Sequence, residues 1–267
     1  MLQPEDFIAR LAGSRVLVVG GAGFVGSHVV DGLLRAGASR VVVADDLSLA
    51  REENLSEALS NERVSLDVVD ACDLGALSAL VDREGGFDLC FNLAVMPLPQ
   101  SLTYPRENVN GNVGMTTSVC EIARAGGFAR LIQFSSSEVY GTARGASIRE
   151  DHPLHAHTPY AAAKAGTDLV ALSYGQTYGI DVVVVRPFNA YGERQNSGAY
   201  AGLLPVVIRT VQAGEPVVIN GDGEQTRDMT YVSDTVRGVL AVAGNPELRD
   251  RPINIGHGTE VTVNEMV

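Results

Sequence analysis

A doubly wound parallel α/β fold is predicted for this 267-residue chain by three observations. Strand-sized apolar runs (VLVVG, RVVVAD, FDLCFNLA, DVVVVRP) alternate with stretches of helical pattern. That alternation is the signature of parallel strands joined by crossover helices. A glycine-rich turn, GGAGFVG, separates the first apolar run from a helix, and an acid, Asp45, closes the second run. Such a sheet binds its ligand beyond the carboxyl ends of the strands.

Residues 16–20 are a short, uniformly apolar run, suited to a strand buried on both faces. In the turn that follows, Gly20, Gly23 and Gly26 read GxxGxxG, and Gly21, Gly23 and Gly26 also read GxGxxG. The glycines allow a tight turn and let backbone approach a pyrophosphate. The helix that follows GGAGFVG offers amide donors and a partial positive charge to the same group and runs to about residue 35, with Phe24 and Val25 of the turn counted on the cofactor side. Asp45 lies 19 residues beyond Gly26. A carboxylate there meets ribose hydroxyls and repels a 2′-phosphate, so NAD is expected rather than NADP, with Asp46 as the neighbouring alternative.

Residues 48–62 are polar and read as loose. A strand follows at 64–69, closed by Asp70 and Asp73, which either meet the adenine or cap the helix starting at residue 74. The fourth strand, 87–94, delivers Leu93 and Ala94 to the cofactor side. Next come a proline-rich loop (95–105), a helix (107–124) and a fifth strand (130–135). After the helix that carries Tyr160, a sixth strand (181–187) ends in Pro187. A long loop with Asn189, Arg194 and Gln195 leads to a helix at 204–213, a short strand (PVVING), and a turn presenting Arg227. A helix at 231–243 and a strand, PINIG, complete the pattern. Residues 1–188 with 231–256 are expected to form the dinucleotide-binding domain, and 189–230 with 257–267 a substrate lobe.

Composition narrows the partners. Hydrophobic residues make up 45% of the chain, ample for a core. The formal net charge of −12 repels nucleic acid and anionic membranes, so neither is expected as a partner. No apolar run reaches membrane-spanning length, and the acidic N-terminus lacks a signal-peptide core, so a cytoplasmic protein is expected. Cys72, Cys90 and Cys120 show no CxxC spacing and read as buried reduced thiols. His152, His155 and His157 lie in a proline-containing segment with no companion ligand set. A solvated loop is expected there, and no metal.

The chemistry centres on FSSSEVYG and PYAAAK. Tyr160 and Lys164 are four apart in a helical stretch and share a face. A nearby ammonium favours the phenolate and should draw the tyrosine down from its ordinary pKa of about 10. A base so poised takes a proton from a sugar or alcohol hydroxyl and returns it. The serines end an apolar run, which places hydroxyls at the mouth of a strand.

Taken together, GGAGFVG, Asp45, NLA at 92–94, SSSEVYG, YAAAK, RPFNAYG and GDGEQTRD resemble, in order and spacing, the extended short-chain dehydrogenase/reductase family, in its nucleotide-sugar epimerase/dehydratase branch. The resemblance covers nearly the whole chain. It implies a Rossmann-type fold, tightly held NAD, a UDP- or dTDP-sugar as substrate, and a homodimer. It assigns Ser136, Tyr160 and Lys164 to catalysis and adds Asn112, the Asn of NVGMT. It gives Asn189 and Arg227 to the substrate's phosphates or nucleotide, with Arg194 beside them, and Asp70 and Pro187 to the cofactor. Three positions depart from the family pattern: Met115 for glycine, Glu193 for proline, and Asn92 for histidine. Family members continue with helices beyond the NIG strand, whereas this sequence ends at Val267, so a small or incomplete substrate lobe is expected. The implied reaction begins with oxidation at the sugar's C4. Glu138 resembles the acidic residue of 4,6-dehydratases and UDP-glucuronate decarboxylases, which act next at C5 and C6. RQNSGAYAGLLP and INGDGEQTRD resemble the 4-epimerases instead. A non-catalytic NAD-binding sensor or scaffold is the alternative of another class.

Overall fold

The computed structural model describes residues 2–143, 145, 147–198 and 200–267. After a short helix, α1 (Pro4–Ile8), the chain alternates as expected: β1 (Arg15–Val19), α2 (Phe24–Arg35), β2 (Arg40–Asp45), α3 (Ser56–Leu59), β3 (Val64–Val68), α4 (Leu74–Glu84) and β4 (Phe87–Asn92). Then follow α5 (Leu98–Thr103), α6 (Pro105–Arg124), β5 (Phe128–Phe134), α7 (Pro159–Tyr178), β6 (Asp181–Pro187), β7 (Asn189–Tyr191) and α8 (Leu203–Gln212). The last elements are β8 (Thr226–Tyr231), α9 (Val232–Ala243), β9 (Pro252–Ile255), β10 (Glu260–Thr262) and α10 (Val263–Met266).

Seven strands form one parallel sheet in the order β3-β2-β1-β4-β5-β6-β9. The chain winds outward from β1 to β3 and then returns to β4 on the other side of β1. A crevice therefore opens between β1 and β4 at their carboxyl ends, the switch point where such sheets bind ligands. Strand alternation sends successive side chains to opposite faces. Val16, Val18, Val41 and Val43 pack with Val29, Val30 and Leu33 of α2 and with Val239 and Leu240 of α9. Leu17, Val19, Val42 and Ala44 pack on the other face with Leu77 and Leu80 of α4 and Val119 of α6. Burial on both faces explains why these strands read as unbroken apolar runs.

Several local expectations change. The PVVING segment forms no strand. Arg227 lies in β8, opposite Val261 of β10, rather than in a turn. A second sheet, β10-β8-β7, is built from strands of three to six residues, too short to show a period of two in the sequence. The proline-rich stretch starts α5 at Leu98, since proline is tolerated in a first turn. The loose 48–62 region contains a 3-10 turn, Glu52–Leu55, and α3. Cys90 and Cys120 are buried, and burial pushes both thiols up, but Cys72 is exposed in the turn before α4. No helix among the described residues is long and apolar enough to cross a membrane.

Candidate active site

The glycine turn has the shape of a cradle. Gly20 has φ +78° and follows β1, and a Cβ there would come within 2.5 Å of the Ala94 nitrogen. A Cβ on Gly26 would lie 2.2 Å from the Gly20 oxygen. Gly23 caps α2 with no side chain, so nothing of its own satisfies the first amides of that helix, those of Phe24, Val25 and Gly26. Leu93 is held beside the turn by its N–H to the Val19 carbonyl at 2.8 Å. Asp45 is buried at the end of β2 and accepts from Ala22 N at 2.9 Å and Leu47 N at 3.0 Å. Burial raises its pKa, while those two N–H groups pull it down. Free helix amides for a pyrophosphate, glycines where any side chain would fill the space, and a carboxylate at the second strand fit NAD. Of the two acids after β3, Asp73 caps α4 through Ala76 N, and Asp70 accepts from Cys72 N at 2.8 Å.

The second half of the site sits across the crevice. Thr158 caps α7 by accepting from Ala161 N at 3.1 Å, and Pro159 occupies the first turn. That start sets the helical phase of Tyr160 and Lys164. On the facing side, β5 ends at Phe134, and a 3-10 turn, Ser137–Tyr140, follows. Ser136 opens that turn by accepting from Glu138 N at 3.2 Å. The Ser136 hydroxyl also faces the Tyr160 phenol and favours its ionised form. Lys164 is buried, and its Nζ donates to the Phe134 carbonyl at 2.6 Å. The structure thus brings Ser136, Tyr160, Lys164 and Glu138 together. The Glu138 carboxylate makes no hydrogen bond among the described residues, and its charge bears on Tyr160.

The electrostatics differ from the simple expectation. Burial pushes the Tyr160 phenol up to about 12; the Ser136 hydroxyl opposes this, and Glu138 and Asp168 add to it. Burial likewise draws Lys164 down to about 8, against the opposing pull of Asp168. Desolvation dominates both groups, since burial makes either charge costly, and the expected pull of the ammonium on the phenol is not among the causes acting on Tyr160. Lys164 is the only lysine among 20 Lys and Arg residues. Arginine stays charged in proteins, whereas a buried lysine shifts its pKa readily. That single exception in an arginine-only chain is a sequence signal for this position beyond the Tyr-x-x-x-Lys spacing.

Other expected residues are placed differently. Asn112 is buried in α6. Its amide oxygen accepts from Met96 N at 3.2 Å, and its Nδ2 donates to the Met96 and Asn108 carbonyls. It ties down the loop after β4. Arg194, expected on the substrate, ion-pairs with Asp31 of α2 at 2.8 Å. The neighbouring Glu193 carbonyl meets His28 Nε2 at 3.0 Å, and its carboxylate accepts from Tyr231. These contacts turn Arg194 away from the adjoining cavity of about 540 Å³ between β7, β8 and α8. Asn189 and Arg227 do line that cavity, together with Gln195, which sequence reasoning left out of the site. Asn92, buried at the end of β4, donates to Gln133 of β5 at 2.8 Å.

Residues 16–256 match the model of the NAD dependent epimerase/dehydratase family. The UDP-glucose 4-epimerase of Mycolicibacterium smegmatis is 36% identical over 256 residues, covering 94% of this chain and 80% of the relative. The dTDP-glucose 4,6-dehydratase of an Actinoplanes species is also 36% identical, over 259 residues, with 94% and 79% covered. The dTDP-glucose 4,6-dehydratase of Streptomyces venezuelae, solved with NAD bound, superposes with a TM-score of 0.87 at 33% identity, covering 94% of this chain and 78% of that one. Geometry and comparison agree that this chain belongs to the NAD-dependent epimerase/dehydratase family, with NAD as its cofactor.

Proposed function

We propose that this protein oxidises a UDP- or dTDP-hexose transiently at C4 and then carries out chemistry at C5 and C6, either 4,6-dehydration or decarboxylation. The observation that supports this reading is the convergence of Ser136, Tyr160, Lys164 and a Glu138 carboxylate without a hydrogen bond among the described residues at the mouth of β5. Bound NAD supplies the acceptor for the C4 hydride and its later return. The glycine turn and the α2 amides hold its pyrophosphate, and Asp45 its ribose. Tyr160 Oη takes the proton of the 4-hydroxyl as the C4–H bond breaks and the C4=O bond forms. Ser136 Oγ holds that oxygen through the change. Lys164 brings the positive charge that a phenolate needs.

The C4 ketone makes the C5–H acidic. Glu138 is then the group that moves a proton at C5. In a dehydration it removes that proton and passes it to the departing 6-hydroxyl, which leaves as water; the C5=C6 bond so formed then takes the returning hydride at C6 and a solvent-exchanged proton at C5. In a decarboxylation the substrate is the uronate: its C5–C6 bond breaks to release carbon dioxide, and C5 of the resulting enolate takes a proton from Glu138 before hydride returns to C4. Asn189, Gln195 and Arg227 line the cavity between β7, β8 and α8, where an amide pair and a forked cation suit a diphosphate and a base. Arg194 and Asn112 act on this reading as positioning residues, for the loop after β7 and the loop after β4.

Incubation with UDP- and dTDP-hexoses and uronates in D₂O, read by product NMR, tests this reading. The expected product carries solvent deuterium at C5. Glu138→Gln should still reduce the cofactor but lose product by roughly 10²–10⁴, the usual contribution of a positioned acid or base. A product that is only the C4 epimer, with no deuterium, replaces this reading with a 4-epimerase. The chain is equally identical to an epimerase and to a dehydratase, which supports the two readings alike.

A further inference from the structure

A buried chain of polar groups runs behind the catalytic lysine. Asp168 lies one helical turn beyond Lys164 on α7 and is fully buried. Its Oδ2 accepts from Arg186 Nε at 2.9 Å, and Arg186, on β6, is itself only 4% exposed. The same guanidinium donates from Nη1 to Tyr140 Oη at 2.8 Å and lies 4.9 Å over that ring. Tyr140 closes the turn that carries Ser136 and Glu138, and its hydroxyl donates to Asn254 Oδ1 on β9 at 2.7 Å. One arginine thus grips the helix of Tyr160 and Lys164 at one end and the Ser136–Glu138 turn at the other.

The other groups around this chain are few. Ser135 faces the Asp168 carboxylate, yet neither Asp168 Oδ1 nor Ser135 Oγ has an aligned hydrogen-bond partner among the described residues. Around Lys164 stand the Phe134 carbonyl from β5 and the Asp168 charge from α7. Glu138 acts on Tyr160, and Glu150 and the edge of His152 face Tyr140. Asp168 is therefore the anion that bears directly on the lysine.

A buried ion pair is a poor device for stability, because apolar side chains of similar shape serve as well or better. Its retention against the catalytic lysine calls for another task. We propose that Asp168, locked in place by Arg186, is a positioning residue whose charge keeps Lys164 a cation and ties its geometry to the Ser136–Glu138 turn. The link to turnover rests on the reaction proposed above; the charge relation itself does not.

The single lysine makes the test clean. Protein grown on lysine labelled with ¹³C at Cε carries one labelled side chain, whose chemical shift follows Lys164 protonation in the protein without substrate. In wild type the inflection is expected near 8. Removing the anion favours the neutral amine, so Asp168→Asn should lower the inflection by about one unit or more, a factor of about ten in the protonation equilibrium. The alkaline limb of kcat/KM should move down by the same amount.

Asp168→Asn leaves Arg186 buried without its partner and can fail to fold. The double variant Asp168→Asn with Arg186→Met removes both charges, and its inflection should also fall, by less, since repulsion from Arg186 disappears with the attraction. An inflection that stays put or rises in whichever variant folds overturns the proposal. A shifted inflection in a protein that turns over no nucleotide sugar supports the charge relation and sinks the proposed reaction instead.

Discussion

Tyr160→Phe is expected to lower turnover by roughly 10²–10⁴, the range for losing a positioned acid or base, with fold and NAD binding intact. The substitution removes one oxygen and keeps the ring that packs at the start of α7. The phenol faces the Ser136 hydroxyl at the mouth of β5. With a pKa of about 12 it is neutral near pH 7 and stands ready as an acid. To act as a base it needs positive charge nearby, which Lys164 carries below a pH of about 8. The expected record is an unchanged urea midpoint, an unchanged NAD dissociation constant, and a kcat near background. Turnover close to wild type removes Tyr160 from the reaction.

Gly20→Ala is expected to abolish NAD binding and to destabilise the protein by on the order of 3 kcal/mol. Two effects add. At φ +78° any side chain strains the backbone. The added methyl also meets the backbone of Leu93 and Ala94, with the Ala94 nitrogen at 2.5 Å, and backbone cannot swing aside as a flexible side chain would. Relief requires β1 and β4 to part at the switch point where the cofactor enters. Urea unfolding and NAD titration read the two effects separately. A variant with wild-type affinity and midpoint shows that the turn is not the cradle described.

How much was legible in the sequence depends on the kind of burial. The parallel strands were visible because both of their faces are covered, as at Val16 to Val19, where every residue is buried. The helix of Tyr160 and Lys164 was visible from its alanine-rich run, while its start at Thr158 and Pro159 was found only in the structure. The short strands β7 and β10 were invisible, since three residues carry no period. Arg194 misled because its loop motif says nothing about Asp31, a partner 163 residues away. Asn112 reads in sequence as a site residue, yet its amide is taken up by the Met96 loop and Asn108. Tyr160 and Lys164 were found by spacing, but desolvation, which sets their protonation, depends on packing that no spacing records.

The central claim is that the sugar is oxidised by this chain's own Ser136, Tyr160 and Lys164, and its most direct measurement is absorbance in the NADH band. NAD-loaded protein carrying Glu138→Gln is mixed with UDP- and dTDP-hexoses and uronates, and the band is followed with time. The account predicts that at least one sugar raises the band, and that adding Tyr160→Phe to the same variant abolishes the rise. A flat trace with every sugar together with no product by NMR, from protein that binds both NAD and nucleotide sugar, contradicts it and leaves a binding protein in place of an enzyme.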